Sequence, residues 1–303
     1  MDNRTNILKE LETIEEVPTL PQVAFKLIAL ISDESSSMRE IGNLIEEDPP
    51  LVAKILRIVN SGYYNLRKQV TDIRQAVVFL GIEEIRNLVF ALSVFSTFYH
   101  IKENQNFSFL QFWKHSASTA KMAAALAKFL NLPIAQSVFI NGLLHDFGRL
   151  ILQLYFQEEY NQVFEYAHSS QCSLLTAERK VLDFGHNEAG AWLAEFWNLP
   201  AEVTHAINHH HDISPAEVEE DIETALVNVA DKIANIWGVG VEPNPTMMLI
   251  ETDPLWLALQ EAHPRLQKFP LDEMTRIFDM HMEEAETFVT QIVQQHELLE
   301  ATK

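Results

Sequence analysis

Apolar positions along this chain recur three and four residues apart, the spacing of helices that each bury one face. In LPQVAFKLIALI, Pro21 suits a first helical turn, and Val23, Leu27 and Leu30 form a stripe. SSSMREIGNLIEED carries a capping box, Ser37 with Glu40, ahead of Ile41, Leu44 and Ile45 on one face. Asp48 and Pro49 fit the cap and first position of a helix striped by Leu51, Ile55 and Val59. Asn60, Ser61 and Gly62 read as the turn that ends it. TDIRQAVVFLG runs from a cap at Thr71 to Gly81, where a left-handed residue would stop the helix. The long apolar helix IEEIRNLVFALSVFSTF follows. Together these predict a bundle of short helices.

KENQNF, near residue 104, is a polar break. Longer helices are predicted after it: FLQFWKHSASTAKMAAALAKFL, AQSVFINGLLHDFGRLILQLYF, NEAGAWLAEFWN, AEVTHAINHH and IETALVNVADKIANIWG. The first has Ala at 117, 120, 124 and 127, so a neighbouring helix can come close. VGVEPNPT makes a second break near residue 243, and an acidic helical segment runs on to Lys303. Strand-type alternation is not sustained anywhere, and the expected fold class is all-α. The breaks divide the chain into 1–103, 104–240 and 241–303.

Composition narrows the picture. Of 303 residues 47% are hydrophobic and 21% charged, an ordinary globular balance, and nine glycines are few for a loop-rich fold. The single cysteine, Cys172, allows no internal disulfide and fits a reducing compartment. The polar start lacks a secretory pattern, and no apolar stretch approaches the roughly 18 residues of a membrane span. A cytoplasmic location without membrane insertion is expected. The net charge of −21 repels phosphate backbones and argues against nucleic-acid binding, while leaving room for a small phosphorylated ligand at a local cation.

Metal-capable side chains gather at five places: His115, the His145–Asp146 pair, His186, the run His209–His210–His211, and Asp231. Imidazole nitrogen with carboxylate oxygen suits Zn, Mn or Fe, and a carboxylate can bridge two ions. His145 and Asp146 close an apolar helix, where a charged pair avoids burial without a partner. Asp231 shares a helix face with Ala225 and Asn228, and a buried aspartate there requires a cation. Other readings stand beside these. A helix C-terminus favours cationic histidine with no metal at all, and His–Asp pairs can satisfy one another by hydrogen bonds. The cluster Phe107, Phe109, Phe112 and Trp113 reads as packing core.

The order of these residues, His115, His145–Asp146 and Asp231, resembles the H…HD…D signature of the HD metal-dependent phosphohydrolase superfamily. The additional His186 and His pair are similar to the longer set of HD-GYP cyclic-di-GMP phosphodiesterases. VPTLPQVAFKLI, IEEDPPLVAKILRIVNSGYY, IRQAVVFLGIEEIRNLV, FWKHS, NGLLHDFGRLIL and AEFWNLPAEVTHAINHHHD resemble landmarks of the HDOD family. The resemblance implies an N-terminal bundle of short helices packed on an HD-type core. It implies one or two divalent transition metal ions, Fe or Mn ahead of Zn. His115, His145, Asp146 and Asp231 would hold the first; His186, His210 and His211, with Asp146 as bridge, would hold the second. A register slip of one exchanges His211 for His209. Where the family pattern has HDIGK this chain has HDFGR, so Arg149 stands in for a lysine near a substrate phosphate.

Nothing after His211 resembles the GYP loop, which argues against cyclic-di-GMP hydrolysis by that route. The expected function is a metal-binding signalling or regulatory module with protein partners. The alternative is a phosphohydrolase acting on a nucleotide or cyclic dinucleotide, with Asp146 and Arg149 at its centre.

Overall fold

The computed structural model describes residues 3–31, 38–61, 64, 66, 68–101, 103–241, 249–268 and 271–300. The helices, in order, begin with α1 (Asn3–Thr13), α2 (Gln22–Ile31), α3 (Met38–Glu46), α4 (Pro49–Val59), α5 (Ile73–Leu80) and α6 (Ile82–Phe98). The middle of the chain forms α7 (Phe109–Phe129), α8 (Ala135–Leu144), α9 (Phe147–Tyr155), α10 (Gln157–Ser170), α11 (Leu174–Val181), α12 (His186–Phe196), α13 (Ala201–His209) and α14 (Ile222–Ile236). The last are α15 (Pro254–Ala262), α16 (Pro264–Gln267) and α17 (Leu271–Glu300). Among the described residues there is no strand, only the isolated bridge between Asn104 and Phe107. The fold is all-α. No helix among them is long and apolar enough to cross a membrane.

The chain forms two compact units. One holds Met1–Val17 and Ile101–Glu283, the other Pro18–His100 and Glu284–Lys303.

In the second unit, local signals set the helices. Asp48 accepts a hydrogen bond from the Leu51 amide at 3.0 Å, and Pro49 fills the first turn of α4, whose Leu51, Ile55, Ile58 and Val59 are buried. Each such aliphatic side chain contributes about 1.5–3 kcal/mol on burial. Asn60 ends the helix and uses its side-chain amide on Val70, donating to the Val70 carbonyl at 2.8 Å and accepting from its amide at 2.7 Å. The cap of α5 is Asp72, which accepts from the Gln75 amide at 2.8 Å. Thr71 was the expected cap; its hydroxyl instead accepts from the Gln75 side chain. The carboxylate one residue later is the better acceptor for an unpaired helix amide. Gly81 closes α5 with φ of 85°. The expected cap Ser37, the turn residue Gly62 and the centre of the VGVEPNPT break lie outside the described residues.

In the first unit α7 is the central element, packed by α8 and α14. Ser108 caps it, while Glu103 accepts from the Phe109 amide at 2.8 Å. Its alanines do what their size allows. A Cβ on Gly142 of α8 would lie 2.8 Å from the Cα of Ala120, so the two backbones touch. The second close crossing joins α9 and α12. There a Cβ on Gly148 would stand 1.7 Å from the His186 carbonyl oxygen and 2.5 Å from the Gly190 nitrogen. Phe107, Phe109, Phe112 and Trp113 are buried as packing core. Trp113 meets Phe147 edge to face at 5.6 Å between centroids, tying α7 to the start of α9.

Candidate metal centre

The segment expected as one long helix from Ala135 to Phe156 is broken at His145 and Asp146, which end α8 and open α9. The break has a geometric consequence. Adjacent residues within a helix point about 100° apart, whereas Asp146, at φ −98° and ψ 6°, turns the chain so that both side chains enter one pocket. His115 and Asp231 lie inside α7 and α14. His186 is the first residue of α12, His210 caps the end of α13, and His211 lies in the following turn.

All seven candidates converge, and two sets share one carboxylate. The Asp146 Oδ2 atom lies 3.4 Å from His115 Nε2 and 3.6 Å from His145 Nε2. Its other oxygen, Oδ1, lies 3.2 Å from His186 Nε2 and 3.8 Å from His210 Nε2. Asp231 Oδ1 closes the first set at 3.1 Å from His115 Nε2 and 3.8 Å from His145 Nε2. His211 Nε2 closes the second at 3.0 Å from His186 Nε2. Donor atoms of Asp146, His186, His210 and His211 lie close enough to hold a metal ion, and so do those of His115, His145 and Asp146. His209, the alternative to His211, turns away; its ring packs on His205 with centroids 4.5 Å apart.

Surrounding groups fix which nitrogen faces inward. His145 Nδ1 contacts the Gly142 carbonyl at 2.7 Å, and His210 Nδ1 contacts the Ile207 carbonyl at 2.7 Å. A carbonyl can only accept, so each Nδ1 donates and Nε2 is the nitrogen turned to the pocket. His186 Nδ1 does the same with Glu178 Oε2 at 2.7 Å. Glu178 is held in turn by the Tyr160 hydroxyl and the His186 amide, each at 2.8 Å. Asn235 donates to Asp231 Oδ1 at 2.8 Å. Outer partners of this kind orient metal-binding imidazoles and carboxylates.

Inside this frame several of the polar atoms lack hydrogen bonds. His115, His145, Asp146, His186 and His210 are buried. Both Asp146 oxygens and the Nε2 atoms of His115, His145 and His210 have no hydrogen-bond partner. A buried polar group normally finds a partner, and a cation at each centre would satisfy the whole set at once. The donors therefore fit one or two divalent ions.

The charges respond to this crowding. Burial opposes ionisation of Asp146, yet Arg149, then His145 and His186, hold its carboxyl well below the usual range. Arg149 Nε stands 3.2 Å from Asp146 Oδ2. Burial likewise opposes charge on Asp231, and His115 and His145 hold it low. Burial disfavours the charged form of His115, but Asp146 and Asp231 raise it to about 9. His186 rises to about 9 as well, against burial, chiefly because of Glu178. His210 falls well below its ordinary value through burial and the neighbouring histidines, and burial with His186 lowers His211 to about 3.

Sequence reasoning missed Glu178 and Asn235. Glu178 had a legible signal: with Leu174 and Ala177 it lies on the buried stripe of α11, where a carboxylate is out of place without a partner.

An HDOD domain family model matches residues 17–213. A curated but uncharacterised protein of Treponema pallidum (strain Nichols) is 27% identical over 209 residues, which are 69% of this chain and 40% of that protein. The chain thus spans well under two thirds of that relative's length. Among solved structures, an HDOD domain protein of unknown function from Geobacter sulfurreducens aligns with a TM-score of 0.81 at 23% identity, over 96% of this chain and 98% of that one. A Shewanella amazonensis SB2B protein provisionally named a phosphohydrolase aligns with a TM-score of 0.68 at 23% identity, over 94% and 97%. At such identities the structural likeness speaks for the fold alone. The family match takes in every candidate ligand except Asp231, which the fold brings beside His115 and His145. On that match the chain belongs to the HDOD domain family.

Proposed function

We propose that this chain is a regulatory module of the cytoplasm that holds two divalent transition metal ions, Fe or Mn ahead of Zn, and acts through protein partners. One observation carries the reading: Asp146 turns one oxygen toward His115 and His145 and the other toward His186 and His210, with no hydrogen bond to either oxygen. A mixed set of imidazoles and carboxylates is the donor chemistry of such ions. Bound there, they supply Lewis acidity and concentrated positive charge. Asp146 would bridge, His115, His145 and Asp231 would complete the first set, and His186, His210 and His211 the second. Partners would use the unit that contains α2–α6, where Val78 and Phe79 on α5 stand 77% and 53% exposed.

Total-reflection X-ray fluorescence of protein purified without chelator tests this. More than one transition metal atom per chain, with a melting temperature that falls on chelation, is the expected result. A metal-free preparation whose melting is indifferent to chelator overturns it and leaves a hydrogen-bonded scaffold.

A second reading, hydrolysis of a phosphoester of a nucleotide or cyclic dinucleotide, is favoured by Arg149 at 3.2 Å from Asp146. Its guanidinium would clamp a phosphate oxygen beside the centre. A panel of phosphoesters incubated with Mn or Fe checks this. No turnover above that of Asp146→Ala removes the enzymatic reading and leaves the regulatory one.

A further inference from the structure

A cleft of about 250 Å³ opens in the unit that carries the metal centre, among residues 104–112, helices α9, α10 and α11, and the residues that follow α14. None of the seven candidate ligands lines it. Its wall is chemically specific. The rings of Phe112 and Phe164 share the lining with the amides of Gln105 and Gln111. Among its described lining residues Arg149 carries the one charge, and it is positive, in a chain of net charge −21. The described lining residues therefore offer flat apolar surface, neutral hydrogen-bonding groups and a single cation, with no carboxylate among them to repel an anion.

Two lining residues also reach the centre. Arg149 Nε lies 3.2 Å from Asp146 Oδ2, the oxygen that faces His115 and His145. The Tyr160 hydroxyl donates to Glu178 at 2.8 Å, and Glu178 accepts from His186 Nδ1 at 2.7 Å. One contact leads to each set of ligands.

We propose that this cleft binds a small planar oxyanion, an aromatic or heterocyclic ring bearing one carboxylate or phosphate, and that its occupancy is felt at the metal centre through Arg149 and Tyr160. The ring would lie against the phenylalanines and the oxyanion would take the guanidinium. An oxyanion that draws Arg149 to itself weakens the hold of that cation on Asp146 and leaves the carboxylate freer for an ion. By linkage, metal ions and oxyanion then strengthen each other's binding. Binding in the cleft stands by itself; the coupling rests on the metal reading.

The probe is 4-fluorobenzoate, followed by fluorine NMR, with neutral 4-fluorobenzamide as control, in metal-loaded and chelated protein. Benzoate is expected to bind at least about tenfold tighter than the amide, the value of one charge-assisted hydrogen bond. Phe164→Trp, which fills a half-buried wall position, should abolish binding, and Arg149→Met should weaken it about tenfold. Equal binding of acid and amide, or binding that Phe164→Trp leaves unchanged, overturns the cleft proposal. Metal that loads normally with no benzoate binding overturns the cleft alone. Benzoate binding in a chain that proves metal-free supports the cleft and removes the metal reading together with the coupling. Equal benzoate affinity with and without metal removes the coupling.

Discussion

Gly148 lies directly beneath His186: a Cβ there would stand 1.7 Å from the His186 carbonyl oxygen. This contact sets α12 against α9, and with it the distance of 3.2 Å between His186 Nε2 and Asp146 Oδ1. Gly148→Ala cannot be absorbed by a flexible side chain, because the obstruction is backbone. It is expected to lower stability by roughly 1–3 kcal/mol or more in denaturant unfolding and to lower bound metal from two ions toward one. Gly42→Ala is the control. No atom lies within 4 Å of a Cβ there, so an alanine in α3 should stabilise by roughly 0.5–1 kcal/mol and leave metal content unchanged.

Asp146 and Asp231 should separate in metal analysis. Asp146→Asn removes the shared carboxylate and is expected to abolish both ions. Asp231 stands beside His115 and His145, so Asp231→Asn should cost the first ion and spare the second. Equal loss from both variants would contradict a shared bridge.

Glu178 touches no candidate ion position directly, yet it fixes the proton of His186 on Nδ1. Glu178→Gln should weaken the second ion by about 10–100-fold and leave the first in place, as competition with a chelator of known affinity would show. A simultaneous loss of both would point instead to collapse of α11 and α12.

Stability of chelated protein should peak near pH 6.5. His115 and His186 have folded values raised to about 9, so their contribution is complete below 6.5 and is lost as pH rises toward 9. His210 and His211 have lowered values, so stability is lost as pH falls below 6.5, where the unfolded chain takes up protons that the folded one refuses. Metal reverses the alkaline limb: ions compete with the protons on His115 and His186, so their affinity should rise with pH up to about 9. Thermal melts from pH 5 to 9, with and without chelator, read both limbs. A metal-loaded protein that also weakens above pH 6.5 would contradict this assignment.

The helices were legible wherever a local signal set them. Asp48 caps α4 as its place before a proline and an apolar stripe implies, and Gly81 ends α5 with a positive φ. Such signals need only a few neighbouring residues. The seven candidate ligands were legible as residue types in order along the chain, and the alanines of α7 as room for a neighbour. The His145–Asp146 pair was legible as the end of the apolar helix SVFINGLL, but the new helix that starts directly after it was not, because SVFINGLLHDFGRLILQ keeps helical periodicity through the pair. The choice between His209 and His211 was equally closed to inspection. Adjacent positions at a helix end differ only in where the next turn points, and that depends on what the helix packs against.

The sequence by itself determined an all-helical chain, the identities of the imidazoles and carboxylates, and their order, because helical period, capping and donor chemistry are properties of a few residues at a time. Only the tertiary structure decided that Asp146 divides its two oxygens between two sets of histidines, that Asp231 joins the first, and that Glu178 stands behind the second. These depend on backbones meeting at Gly142 and Ala120 and at Gly148 and His186, residues distant along the chain. Such approaches are fixed by how whole faces pack, and no local period records them.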